Sequence, residues 1–361
     1  MDRRSFLMGT GALAAGTTLA APAISQGRKE WKMVTTWPKN FPGLGTGAQR
    51  CADRITKLTD GRVTVKLFAA GELVPAFESF DAVSSGTAEL YHAPDYYFQG
   101  KHPAFPFFAC VPMGLIYSEQ NAWLMHGGGM ELWNELSNQF NIKPFPCGNT
   151  GVQMGGWFRK DINSLDDLQG LKFRMPGLGG EAMRKLGVNV IALPGGEIFQ
   201  ALQTGAIDGT EWVGPWNDLA FGFYRVAQNY YYPGFHEPAP TVACGVNMTA
   251  FNELSDSDKA AVEAACQMEN SLMYSEFVAK NGSALNTLTT QHGVQLKEFP
   301  PEVFDAFATA SEEVIESVGD HDDLGKRILE SYKKARKDYG EWTAISIQAY
   351  TNARARADAS K

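Results

Sequence analysis

After its first two dozen residues, the 361-residue chain has no apolar run approaching the roughly 20 residues that crossing a bilayer requires. Basic charge is also short. Lys and Arg number 32 against 40 Asp and Glu, a formal charge of -8, which offers no general attraction to nucleic acid or anionic lipid. The five cysteines (Cys51, Cys110, Cys147, Cys244 and Cys266) stand far apart, with no Cys-x-x-Cys pair and no histidine at metal-ligand spacing. This predicts no zinc or redox site. An odd count in an oxidising compartment leaves at least one free thiol, and buried apolar packing is the ordinary role for most of them. Catalytic signatures are missing too: no Gly-x-Ser-x-Gly elbow, no His-Glu-x-x-His, and no Gly-x-Gly-x-x-Gly after the first strand. Gly127-Gly128-Gly129 follows an apparent helix at Trp123 to Met125, the wrong context for a phosphate cradle. The six histidines are dispersed, and only His236 sits beside a candidate site residue. No low-complexity tract or short-period repeat is visible.

What is present begins with Arg3 and Arg4 ahead of a small-residue apolar stretch from Phe6 to Ala20, then Ala21-Pro22-Ala23. This reads as a cleavable signal peptide over residues 1–26. Arg3-Arg4-Ser5-Phe6-Leu7 matches the twin-arginine pattern, which sends already folded chains across a membrane to the periplasm. Removing Asp2, Arg3 and Arg4 takes the formal charge from -8 to -9.

The remainder alternates strand and helix, the grammar of an α/β fold. Lys32 to Trp37 and Val63 to Phe68 are strand-like, and Leu90 to Ala93 is a third strand. Gly45 to Thr59 is helix-like, with Ala48, Cys51, Ile55 and Leu58 on one face, and Pro75 to Ser84 reads as a second helix. A second run of the same grammar starts near Thr150: Gln153 to Phe158 as strand, Ser164 to Leu168 as a capped turn, Lys172 to Met175 as strand, Gly179 to Leu186 as helix. Two lobes joined by several chain crossings would leave a cleft able to enclose a ligand. We expect residues 28–151 plus 240–279 to form lobe I, and 152–239 plus 280–320 to form lobe II. Thr241 to Asn247 returns as a strand of lobe I. A long helix then runs from Ser255 to about His292, opened by the Ser255 and Asp258 capping box. Residues 321–361 form a charge-dense C-terminal helix with scattered Tyr339, Trp342, Ile345 and Ile347, and Gly340 is its natural bend. Those apolar positions suit either a second subunit or docking on the chain's own lobe.

Ile191 to Trp216 is the most informative stretch. Glu197 to Thr204 is a short helix stopped by Gly205, and Asp208-Gly209 turns the chain into Thr210, Glu211 and Trp212. A carboxylate beside tryptophan at a strand end, facing a cleft, can hold a hard cation through oxygen ligands. Arg174 lies on a strand between Phe173 and Met175 and must face solvent or a polar cleft. Its planar fork fits a carboxylate with two parallel hydrogen bonds. Ala93-Pro94-Asp95-Tyr96-Tyr97-Phe98 follows a strand end and should face the cleft: Tyr96 could hydrogen-bond a ligand oxygen, while Asp95 serves either the ligand or the cap of its own turn. Trp216 and Asn217 supply either an apolar wall and one amide contact or core packing.

Phe173-Arg174, the Leu193-Pro194 to Gln203-Thr204-Gly205 segment, and Ile207-Asp208-Gly209 with Glu211-Trp212 resemble the solute-binding proteins of tripartite ATP-independent periplasmic (TRAP) transporters. Trp37-Pro38, Gly61-Arg62-Val63 and Gly71-Glu72-Leu73 fit the same resemblance, which spans nearly the whole chain beyond the signal. It implies a two-lobed periplasmic binding protein fold and a receptor that hands a small carboxylate to membrane permease subunits. It also implies that Arg174 forms the main salt bridge to that carboxylate. Within the family the chain resembles the α-keto acid branch, in which a cation helps hold a short monocarboxylate such as pyruvate. The ligands of Na⁺, or alternatively Ca²⁺, would be Gln153, Glu211 and the Trp212 carbonyl, with Glu237 as a further candidate. Oxygen donors of this kind suit such ions, and the lack of a sulfur or imidazole cluster disfavours zinc or copper. A lactate or other hydroxy-acid receptor is the alternative, and an exported metal-dependent enzyme a more distant one.

Overall fold

The computed structural model describes residues 27–360; the expected signal segment, 1–26, lies outside the described residues. Among the described residues, eleven strands form two sheets. The first contains β1 (Lys29–Thr35), β2 (Val63–Phe68), β3 (Leu90–Ala93), β4 (Ile142–Asn149) and β10 (Thr241–Asn247), in the order β2-β1-β3-β10-β4. β1 runs parallel to β2 and β3, whereas β10 is antiparallel to both β3 and β4. The second sheet is built from β5 (Gly156–Phe158), β6 (Lys172–Arg174), β7 (Asn189–Ile191), β8 (Gly209–Thr210), β9 (Asn229–Tyr232) and β11 (Gln295–Glu298), in the order β11-β9-β5-β8-β6-β7. The chain passes between the sheets after β4, after β9, and through the helix Asp256–Gln291 that ends just before β11. Two lobes joined in this way make the α/β, two-lobed architecture.

Local chemistry sets these elements. The helix Leu44–Leu58 buries Leu44, Ala48, Cys51, Ala52 and Ile55, one stripe at helical spacing. Leu58, expected on that face, is exposed because the helix ends there. Ser255 caps the 36-residue helix Asp256–Gln291 by accepting the Asp258 backbone N–H. Gly205 closes the helix Gly195–Thr204 at φ 75°, a left-handed position that favours glycine.

Three expectations change. The strand expected from Gln153 begins only at Gly156, because Gln153 lies in the crossing, where its carbonyl accepts the Gly234 N–H at 3.0 Å. The strand before Trp212 stops at Thr210, so Glu211 and Trp212 stand just beyond the sheet edge. The C-terminal helix does not bend at Gly340: Asp323–Thr343 passes through Gly340 as regular helix, and the irregularity is a π-turn at Ala344–Gln348 before Ala349–Ala359. Among the described residues, no helix is long and apolar enough to cross a membrane.

One continuous apolar core joins the lobes, running from Met33, Trp37 and Val242 on the first sheet to Trp157, Trp212 and Tyr230 on the second. The lobes are closed on each other. What remains between them is a cavity of about 10 Å³, bounded by Trp37, Tyr96 and Tyr97 on one side and Gln153, Trp212 and Val213 on the other.

Candidate functional site

Arg174 is the last residue of β6 and is 1 % exposed. Alternation along the strand turns Phe173 into a stack on Phe158, so Arg174 points to the opposite face, into the cleft. Its guanidinium is held on every side. Nε donates to the Leu193 carbonyl at 3.1 Å, Nη2 donates to the Tyr97 hydroxyl at 3.2 Å, and Nη1 pairs with Glu211 Oε1. The guanidinium carbon also lies 5.2 Å from the centre of the Trp212 ring, a cation–π distance. Burial works against its charged form, but the Glu211 carboxylate and the hydroxyls of Tyr97 and Tyr96 raise its pKa above the ordinary arginine range.

Glu211 and Glu237 supply two buried carboxylates against this single guanidinium. Glu237 arrives on the crossing after β9. Gln153 arrives on the crossing after β4 and donates its backbone N–H to the Glu237 carbonyl at 3.1 Å, so the two crossings are laced together. The Tyr96 hydroxyl donates to Glu237 Oε2 at 3.3 Å. Burial and then the Glu211 charge push the Glu237 carboxyl well above the usual carboxylate range. Burial likewise pushes Tyr97 up to about 12.

The site therefore carries more buried carboxyl and amide oxygens than its donors satisfy. Gln153 Oε1 and Glu211 Oε2 have no hydrogen-bond partner, although the Gln153 amide donates to Thr150 Oγ1 at 3.2 Å. His236 Nε2 lies 3.3 Å from Glu211 Oε2 without hydrogen-bond alignment. Glu211, His236 and Glu237 bring ligand atoms within 4.8 Å of one another. A buried acceptor left unpaired costs on the order of 1–3 kcal/mol, and a cation among these oxygens would remove that cost. The residues present fit a hard cation.

The expected residues separate on inspection. Arg174, Glu211, Glu237, Gln153, Tyr96 and Trp212 converge. Asp95 does not: its carboxylate accepts the Tyr91 hydroxyl and the Trp133 indole N–H, each at 2.8 Å, inside the core of the first lobe. It neither meets the cleft nor caps its own turn. Asn217 lies in the helix Pro215–Phe221, and its amide donates to the Pro42 carbonyl at 3.0 Å, tying the second lobe to the first. It does not line the cavity. Trp216 packs on Phe277, away from the cleft.

Tyr97 faces the cleft with Tyr96, as expected of that segment, because the short helical turn Asp95–Phe98 presents the two rings together. His236 and Trp37 also border the cluster, and neither was singled out as a ligand residue. Trp37 packs edge-on against Trp212 with ring centres 6.1 Å apart and donates its indole N–H to His92 Nδ1 at 2.8 Å.

The model for bacterial extracellular solute-binding protein family 7 (DctP) matches residues 33–321. A monocarboxylate 2-oxoacid-binding periplasmic protein from Nostoc sp. is 43% identical over 322 residues, covering 89% of this chain and 88% of that protein. A TRAP transporter solute-binding protein of Bordetella bronchiseptica, solved as a mixed-occupancy dimer with copurified calcium and picolinate, superposes with a TM-score of 0.90 at 38% identity. The match covers 92% of this chain and 98% of that one. A TRAP periplasmic solute-binding protein of Pseudoalteromonas atlantica with bound sodium and pyruvate superposes at 0.87 and 38% identity, over 90% and 99% of the two chains. A homologue from Colwellia psychrerythraea, with calcium and pyruvate, gives the same values.

Proposed function

The chain belongs to bacterial extracellular solute-binding protein family 7, the solute receptors of TRAP transporters, and from that premise we propose that it binds a short 2-oxo monocarboxylate jointly through Arg174 and a cation. The observation that carries this reading is the buried cluster of Arg174, Glu211, Glu237 and the unpartnered Gln153 Oε1. Gln153, Glu211 and the Trp212 carbonyl would hold Na⁺ or Ca²⁺, with Glu237 beside them. Held by these oxygens, a cation would offset the Glu211 charge and supply a Lewis acid for the ligand's 2-oxo oxygen. Arg174 exchanges its contact with Glu211 for the ligand carboxylate, keeping Leu193 and Tyr97 as its orienting partners. The cavity as closed holds about one water, so the lobes must part to admit a ligand, and the aromatic wall of Trp37, Tyr96, Tyr97 and Trp212 suits a short, apolar-tailed acid such as pyruvate. The Nostoc, Pseudoalteromonas and Colwellia relatives support the same ligand class.

The Arg3-Arg4 pattern supports export to the periplasm, where such a receptor delivers ligand to membrane permease subunits. Residues 28–151 with 240–279 and residues 152–239 with 280–320 would move as two bodies about the three crossings. The family consists of binding receptors, and nothing in the cleft sets a nucleophile against a general base, which supports binding without turnover. Trp342, Ile345 and Tyr350 are each more than 60% exposed along the C-terminal helix, and they support self-association through residues 321–361. Sedimentation velocity should show a dimer that Ile345→Lys converts to monomer; a monomeric wild type would remove the dimer.

A thermal-shift panel tests the ligand: pyruvate, longer 2-oxo acids, lactate and dicarboxylates, each with Na⁺, with Ca²⁺ and after chelation, on protein freed of copurified ligand. A ligand at 100 times its Kd stabilises a receptor by about 2.7 kcal/mol, an easily read rise in Tm. Arg174→Lys should weaken 2-oxo acid binding at least about tenfold, because a point charge cannot replace the bidentate fork. A shift with lactate alone would select the hydroxy-acid alternative. Turnover of any acid would restore the enzyme.

A further inference from the structure

Cysteines that stand far apart in the sequence meet in the core of the first lobe. Cys51 comes from the helix Leu44–Leu58, Cys147 from β4, Cys244 from β10 and Cys266 from the helix Asp256–Gln291. All four are fully buried thiols. Cys147 Sγ lies 3.3 Å from Cys51 Sγ, and the sulfurs of Cys51, Cys147 and Cys266 lie within 4.8 Å of one another. Cys244, on the neighbouring strand β10, faces the same three thiols. Sequence spacing detects sites built on one loop, and these thiols come from four separate elements.

A single buried cysteine behaves as a small apolar residue. Three sulfurs within 4.8 Å of one another, with a fourth thiol facing them, do not need to converge for packing alone. Tetrahedral metal–thiolate bonds of about 2.3 Å place sulfurs about 3.8 Å apart, a spacing this cluster can reach with small side-chain adjustments. The surroundings are also suited. Arg50, next to Cys51 in the chain, and Arg54 pair with Glu269 at 2.6 and 3.2 Å, which ties the helix that carries Cys51 to the helix that carries Cys266. His92 fixes the Cys147 backbone, with Nε2 3.3 Å from its carbonyl while Nδ1 accepts the Trp37 indole N–H. Both ring nitrogens are thus engaged outside the cluster, as an orienting residue requires.

We propose that Cys51, Cys147, Cys244 and Cys266 form a buried structural site for a thiophilic d10 cation, Zn²⁺ or Cu⁺, separate from the carboxylate site and filled as the chain folds. Soft thiolates select these ions over Na⁺ or Ca²⁺. Each thiol that becomes a ligand gives its proton to solvent, and no electron is transferred. A four-thiolate site of this kind is closed and offers no open position for catalysis. Export of an already folded chain fits this assignment, because the core would close in a reducing compartment with its thiols intact.

The test is the metal and thiol content of the full chain purified without added metal, chelator or reductant. Elemental analysis for zinc and copper should give about one ion per chain, released on denaturation with chelator, together with all five cysteines as free thiols. Cys147→Ser and Cys244→Ala should each lower the metal to under about a tenth of an ion per chain while 2-oxo acid binding persists. Should those variants fail to fold, refolding the wild type decides: one equivalent of Zn²⁺ should raise Tm by several degrees over refolding with chelator. Five thiols without metal, and identical Tm in both refolding arms, would reduce the cluster to packing. Three thiols would replace the metal site with a disulfide. Either result overturns the proposal.

Discussion

Arg174 could be recognised from the sequence because a charge interrupts an otherwise apolar strand, and Glu211 because it sits beside tryptophan after a turn. Both signals are local. Asp95 shows the limit of such reading: its position after a strand end was visible, but the direction of its side chain depends on Tyr91 and Trp133, the latter 38 residues away. That inward placement has a consequence for stability. Burial pushes the Asp95 carboxyl up to about 7 from 3.8, against the hydrogen bonds from Tyr91 and Trp133 that favour ionisation. Asp218, bonded to Trp157 and Tyr230 in the second lobe, is also raised to about 7, chiefly by burial. Between roughly pH 4 and 7 the unfolded chain gives up these protons while the folded chain keeps them. Their contribution to stability is therefore full below that window and falls as pH rises through it. Asp95→Asn should flatten the decline of Tm measured from pH 4.5 to 7.5, whatever its absolute Tm. An unchanged slope would show that Asp95 is ionised throughout the window.

Elements were legible where their ends carry chemistry of their own. The helix Asp256–Gln291 was readable through Ser255, and Gly195–Thr204 through Gly205. The short strands β5 and β8 were overextended, because their limits are set by the crossings and by pairing with neighbours rather than by composition. Two glycines separate apparent from real constraints. Gly340 looked like a bend, yet it sits in regular helix with open space where a Cβ would go. Gly340→Ala should be stabilising by up to about 1 kcal/mol, as expected for glycine removed from an exposed helix. Gly195 is different: a Cβ there would lie 2.5 Å from the Trp212 ring. That ring cannot yield freely, being packed against Trp37, Phe41 and Arg174. Overpacking of this kind costs about 1–3 kcal/mol. Gly195→Ala should weaken 2-oxo acid binding about tenfold in calorimetric titration without touching the ligand; unaltered affinity would mean that the Trp212 wall is not needed.

At the scale of the molecule, the site exists only because three crossings bring two lobes together, and no stretch of sequence displays that. Arg174 and Glu211 come from the second sheet, Tyr96 and Tyr97 from the first lobe, Gln153 and Glu237 from the crossings between them. The same separation hid the cysteine cluster, whose members lie on four elements. Closure also makes the cation and the acid dependent on each other. With a ligand carboxylate present, the pocket would set that charge and Glu211 against one guanidinium, with the Glu237 carboxyl already pushed toward its neutral form, in a space shielded from water where like charges repel strongly. A cation beside Glu211 lowers that repulsion and frees Arg174 for the ligand. The acid in turn supplies oxygens that the cation would otherwise lack. Linkage requires the two effects to be equal: the factor by which the cation tightens acid binding is the factor by which the acid tightens cation binding. Titration calorimetry of pyruvate with and without Ca²⁺, and of Ca²⁺ with and without pyruvate, should close to one coupling of at least about fivefold. Glu211→Gln removes one negative charge and the Arg174 pair together, so it should lower the coupling while leaving cation-free pyruvate binding at or above the wild-type level. Equal pyruvate affinity with and without cation in the wild type would leave Arg174 as the sole anchor and give the buried carboxylates no part in recognition.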